Sequence, residues 1–297
     1  MRPTPDPRTR ARATTLLAAA AAAVAARGVF RVCRSRPPGG SARWTRTNHR
    51  GEQVSLLLGP AAVAAAAATT AVAPGLDRGE RLAGMVAVLG SGAVGLYDDL
   101  AGTTTVKGFR GHLRALRRGE VTSGLVKIAG IGASGVLAAA ALREGSRAQR
   151  TDGARSASGP TALVDTLADG ALIAMAANVV NLFDLRPGRA LKVVLAHTPA
   201  LLAAAGPALA APVGAAAGLV ADDLGERGML GDCGANALGA GIGVAIAARA
   251  PRPLRWAALA GLVGLTLAAE RVSFTAVIEA HPPLRRLDEL GRRKPSR

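Results

Sequence analysis

Four aspartates, Asp98, Asp99, Asp184 and Asp232, each sit where a long apolar run meets a polar loop. Carboxylates are expensive to desolvate in a membrane, so acids at the mouth of a helical bundle point to a site. In GLYDDL (95–100) the acid pair ends an apolar segment, where the helix dipole disfavours negative charge. The two carboxylates also repel one another. A divalent ion or an incoming cationic group would relieve both penalties; a solvated acid pair in a loop is the plain structural alternative. In NVVNLFDLRPGR (178–189), Asn178, Asn181 and Asp184 are three residues apart, which places them on adjoining helix faces. Amides suit sugar hydroxyls or a uracil edge, and the carboxylate suits magnesium. Arg186 is a candidate substrate contact or, more simply, the ion-pair partner of Asp184. In MLGDCGANALG (229–239) Asp232 precedes an apolar block, where it could merely cap a helix. Gly231, Gly234 and Gly239 leave room for a phosphate against backbone N–H groups, with Asn236 in the same run.

Basic and amide side chains accompany these acids. WTRTNHRG supplies Arg46, Asn48, His49 and Arg50, and KGFRGHL supplies Lys107 with Arg110 and His112. Lys127 lies about two turns inside an apolar block, deep enough that it must snorkel or pair with an acid. Asn48, Lys107, Lys127 and His281 are candidate substrate contacts, the two lysines for a diphosphate. Mg²⁺ typically takes one or two carboxylates plus substrate phosphates and waters. Acids gathered with Lys and Asn therefore suit phosphoryl transfer, which depends on positioning and charge neutralisation. No Ser/His/Asp pattern appears, and His49, His112, His197 and His281 lack zinc spacing.

The elements that must hold these residues are apolar helices. Ala/Val/Leu/Gly blocks suggest spans near 14–31, 53–73, 82–97, 119–142, 162–181, 191–205, 206–221, 234–250 and 254–274. That makes an all-α, polytopic bundle of about nine spans, with a tail and first span over 1–31 and a membrane-embedded domain carrying the candidate loops over 32–297. Pro199, Pro207 and Pro212 divide 191–221 into two short helices. Mean hydropathy is only +0.26, because Ala and Gly replace Leu and Phe. Such small residues let membrane helices approach closely. Segments 32–52, 98–118, 182–190, 222–233 and the tail from 275 fall on one side. They hold about twenty Lys and Arg against about a dozen opposite, which assigns them to the cytoplasm. All four aspartates lie on that side. Residues 1–27 also read as a signal-like segment, basic and then Ala-rich. The loop 143–160 is an external connection without chemistry. The net charge of +17 does not indicate nucleic acid, since aromatics for base stacking make up only 2%. Cys33 and Cys233 form neither a metal pattern nor a disulfide framework.

Together, the pair Asp98-Asp99, the N-x-x-N-x-x-D run ending at Asp184 and the G-D-x-G turn at Gly231-Asp232-Gly234 resemble the polyprenyl-phosphate N-acetylhexosamine-1-phosphate transferases. That superfamily (glycosyltransferase family 4) includes phospho-N-acetylmuramoyl-pentapeptide transferase, and the similarity runs from about residue 44 to the C-terminus. The resemblance implies a multi-pass plasma-membrane enzyme with a cytoplasmic site for Mg²⁺ and a UDP-sugar. It implies transfer of sugar-1-phosphate to a polyprenyl phosphate, with release of UMP, in cell-wall glycan biosynthesis. By position, Asp232 would ligate magnesium and Asp98 and Asp99 would orient or deprotonate the lipid phosphate, Asp99 also meeting the metal. Asn181 and Asp184 would contact nucleotide or sugar. The chain departs from the pattern at Pro187, where the family has a second acid, at Ala235, where it has Ser, and around His281, the remnant of a His-rich loop. An envelope-assembly scaffold that keeps the fold without the activity is the alternative, and a transporter a more distant one. Expected partners are the two substrates, membrane lipids, and a second copy or an envelope-assembly protein.

Overall fold

The computed structural model describes residues 6–102, 111, 114–148, 159–203 and 206–293. Helix α1 (Pro7–Ser35) leads through a 3₁₀ turn (Ser41–Trp44) into strands β1 (Thr45–Thr47) and β2 (Gln53–Ser55). The strands form an antiparallel hairpin with Arg46 opposite Val54. There follow α2 (Leu58–Val72), α3 (Arg78–Ala101), α4 (Ser123–Ala148) and α5 (Pro160–Phe183). Two short helices, α6 (Arg189–Leu195) and α7 (Thr198–Leu202), precede α8 (Gly206–Leu224) and α9 (Gly231–Arg249). The chain closes with α10 (Arg252–Ala269), α11 (Phe274–Ala280) and α12 (Pro282–Glu289).

The helical expectation holds for the fold class, and the number of spans does not. Three described helices, α1, α4 and α5, are long and apolar enough to cross a membrane, or four if α10 and α11 count as one broken span. The reasons are local. Residues 53–57 belong to the hairpin and its exit, which leaves α2 with 15 residues. At 1.5 Å per residue that reaches about 22 Å, short of a hydrocarbon core of roughly 30 Å. The segment 191–205 breaks into helices of seven and five residues. The segment 254–274 turns by 91° between α10 and α11, where the Ser273 hydroxyl accepts the Ala276 N–H. Helices α3, α8 and α9 are long but carry acids and glycines, because their neighbours are other helices.

Helix α9 occupies the centre. It packs against α2, α3, α5 and α8, and nearly all of its side chains are buried. One core joins α1, α2, α8 and α9 through Phe30, Leu58, Leu209, Leu219 and Leu238. A second joins α3, α4, α5 and α9 through Ala87, Ile131, Ile173 and Val244. Helix α10 rests mainly on α5 and buries no residue fully. Leu16, Leu17 and Val24 on α1 and Leu137 on α4 are exposed, as lipid-facing side chains would be.

Candidate active site

The site forms where α3 and α5 end and where α4 and α9 begin. Gly95 makes this junction tight: a Cβ there would stand 2.5 Å from the Asp232 carbonyl carbon and 2.7 Å from the Cys233 nitrogen. At this separation Asp99, one turn further along α3, reaches over the start of α9. Its Oδ1 accepts the Asp232 N–H at 3.0 Å and its Oδ2 accepts the Cys233 N–H at 2.9 Å. The Gly231 N–H lies close enough to the Asp184 carboxyl to favour its charged form. Gly231 adopts φ 63°, and an added Cβ would lie 2.8 Å from the Asp99 carboxylate. Carboxylates from two other elements thus face the first N–H groups of α9, where the helix dipole favours them.

This arrangement differs from three expectations. The Gly-rich entry of α9 is already occupied by acids and does not lie open to a phosphate. Gly234 is buried against Leu230 and Gly59, with its N–H directed to the Leu230 carbonyl, so it lines no opening. Asn236 is also fully buried, and its Nδ2 donates to the Asp232 carbonyl at 2.7 Å. It braces the helix. Asp232 does not cap its own helix; Asp99 does so from α3.

Lys127 lies one turn into α4. Its ammonium donates to Asp232 Oδ2 and stands 3.5 Å from Asp98 Oδ2. The Asp98 and Asp232 carboxyls are neighbours, with Ser123 close to Asp98. Arg46 Nη2 donates to the Asp99 carbonyl at 2.6 Å, placing a cation at the negative end of α3. Asp184 is half-buried one residue beyond α5. Burial raises its pKa well above the ordinary carboxylate value, and the charges of Asp223, Asp232 and Asp99 push the same way.

A cavity of about 120 Å³ opens beside Asp184, lined by Asn48, His49, Arg186, Asp223 and Glu226 among others. Asn48 shapes it rather than offering a free amide. Its Nδ2 donates to Glu226 Oε2 at 2.6 Å, and its Oδ1 accepts the N–H groups of Arg50 and Glu52, both at 2.9 Å. The His49 pKa is lowered by burial and then by the charge of Arg186, which keeps the ring neutral at pH 7. Arg186 also stands 3.9 Å from Glu279 of α11.

Other candidates lie elsewhere. Asn178 donates to the Thr266 hydroxyl at 3.0 Å, fastening α5 to α10, and so turns away from Asp184. Asn181 is half-buried in the last turn of α5, where its carbonyl accepts the Asp184 N–H. His281 is exposed at the head of α12, bonded to the Val277 carbonyl, and is not among the cavity's lining residues. Lys107 lies outside the described residues, as do Arg110 and His112. Sequence reasoning missed Asp223 and Glu226. Residues 222–226 read DDLGE at the end of an apolar run, the same signal that identified Asp98 and Asp99.

Among the described residues no group of three or more His, Cys, Asp or Glu side chains is arranged as a metal site. The pair Asp98 and Asp232 fits Mg²⁺ in its chemistry, since one or two carboxylates with substrate phosphates suffice, and the one ammonium between them is that of Lys127. Asp98, rather than Asp99, faces Asp232. No family model matches the sequence, and comparisons with curated proteins and with solved structures gave no match.

Proposed function

We propose that the chain transfers a sugar-1-phosphate from a UDP-sugar to a polyprenyl phosphate, releasing UMP, for cell-envelope glycan synthesis. The reaction would take place at the cytoplasmic face of the plasma membrane, within a multi-pass bundle. The observation that carries this reading is the meeting of Asp98, Asp232 and Lys127 from three separate helices, with Asp184 beside them. The three-motif resemblance supports it, since those motifs become neighbours in space. A lipid phosphate oxygen attacks the phosphorus that bears the sugar, and the bond to the UMP phosphate breaks with its electron pair. Asp98 orients the attacking phosphate, and Lys127 offsets charge on the diphosphate. Asp99 holds α9, and therefore Asp232, in place. The cavity beside Asp184 is of a size and polarity to take part of the nucleotide sugar. Asp98 and Asp232 would hold Mg²⁺ together with the substrate phosphates, and the ion would supply charge neutralisation at the diphosphate.

The test is Mg²⁺-dependent UMP release across a panel of UDP-sugars with polyprenyl phosphate. Asp98→Ala and Asp232→Ala are each expected to reduce release by about 10²-fold or more, as losing one preorganised electrostatic partner does. Undiminished release in both would remove this site from the chemistry. The scaffold alternative draws on one observation: Pro187 replaces an acid of the resembled pattern, and its carbonyl is held by Arg292. Failure of the purified protein to bind UDP-sugars, together with co-purification of an envelope partner, would favour it.

A further inference from the structure

The C-terminal segment returns to the turn that carries Asp184. Arg189, at the far end of that turn, is 4% exposed and forms a two-pronged ion pair with Asp288 of α12, at 2.8 and 2.9 Å. Its third donor goes to Thr275 of α11 at 2.9 Å. Lys192 donates to the carbonyls of Leu287 and Asp288. Arg292 bonds Asp288 Oδ1 at 2.7 Å and, with Nε, the Pro187 carbonyl at 3.0 Å. The opposite side of the turn is held from α8: Gly188, at φ 74°, donates its N–H to Asp223 Oδ2 at 2.9 Å. Next to it the Arg293 N–H reaches the Leu224 carbonyl, and Arg50 reaches the Arg293 carbonyl.

The turn 184–189 is therefore gripped between the end of α8 and the C-terminal segment around residues 288–293. A buried ion pair contributes little net stability, because desolvation cancels much of its attraction. What it fixes is geometry. We infer that Asp288 and Arg292 are positioning residues, which set the Asp184 turn against the site through Arg189 and the Pro187 carbonyl. The functional half of this inference rests on the transferase reading, and the mechanical half does not. The Arg292 bond falls on the carbonyl of Pro187, the position where the resembled pattern has an acid.

The experiment compares full-length wild type, Asp288→Asn, Arg292→Met and Arg292→Lys in lipid nanodiscs. Amide exchange at Gly188 and Arg189 should quicken about fivefold or more in the first two variants, as for a locally opened segment, with α9 amides unchanged. Arg292→Lys should restore part of the protection. In UMP release, kcat should fall about 10- to 100-fold, the cost of misplacing a reacting geometry by ~1 Å. The KM for the lipid phosphate should change much less. Unchanged exchange at 188–189, or a uniform rise over the whole chain, overturns the inference. A wild type that releases no UMP overturns the transferase reading alone, and the exchange data then decide the grip by themselves.

Discussion

Lys127 is the residue on which the charge balance of the site turns. Its ammonium sits between Asp98 and Asp232, where it competes with any divalent ion. Lys127→Met is therefore expected to tighten Mn²⁺ binding, measured by electron paramagnetic resonance, while lowering UMP release by about 10²-fold. Weaker Mn²⁺ binding would show that Lys127 organises the acids instead of competing for them. Asp99 gives a contrasting case, since both of its oxygens accept backbone N–H groups of α9. Asn in its place offers one acceptor where two are needed. Asp99→Asn should cost about 1.5–3 kcal/mol, the usual worth of a hydrogen bond to a charged group, read from thermal or denaturant unfolding in detergent. Residue types were legible in the sequence: Asp98, Asp184, Asp232 and Lys127 were all marked by charge next to apolar runs, and Asp98, Asp232 and Lys127 meet. Partners were not. That Asp99 serves α9 while Asp98 faces Lys127 depends on helix rotation, which adjacent letters cannot encode. Asn178 shows the same limit, because its three-residue spacing from Asn181 is compatible with either side of α5.

At the scale of elements, close approach of α3 and α9 positions the acids, and glycine allows it. Gly95→Ala places a Cβ against the Asp232 carbonyl group. Expected is a loss of about 1–3 kcal/mol from overpacking, with Mn²⁺ affinity falling in parallel as Asp99 loses its hold on α9. Undiminished stability would mean that the two helices part without strain. The docking of α12 carries its own pH signature. Burial pushes the Asp288 pKa up, but the Arg189 hydrogen bond and the charges of Arg189, Arg292 and Lys192 outweigh it and hold it below 3.8. The stabilisation is therefore complete above the ordinary carboxylate pKa and is lost as pH falls through the lower, folded-state value. Protection of residues 282–293 from exchange should persist at pH 5 and fail only below about pH 4. Failure near neutral pH would assign the docking to another group. Helix existence was readable from apolar runs. The hairpin was not, for β1 and β2 are three residues each and their pairing rests on the Asn48 side chain turning the chain.

At the scale of the molecule, hydropathy located helices better than it located spans. The interior helices α3, α8 and α9 contact protein and can be rich in Gly and Ala, whereas α1, α4 and α5 carry the long apolar stretches. Orientation is open to a direct check. Arg118→Cys and Arg147→Cys, in a Cys33→Ser background, should label from opposite sides of sealed vesicles, residue 118 from the cytoplasmic side. Labelling of both from one side would refute a membrane crossing by α4.

The right-angled break after α10 has a mechanical corollary. Helix α10 leans chiefly on α5, and beyond the break α11 and α12 are anchored at Arg189. A peripheral rod and an interior turn are thereby linked by a short, stiff lever, so the tilt of one is coupled to the location of the other. Lengthening the elbow with a Gly-Ser insertion between Val272 and Ser273 should slacken that lever while leaving both helices intact.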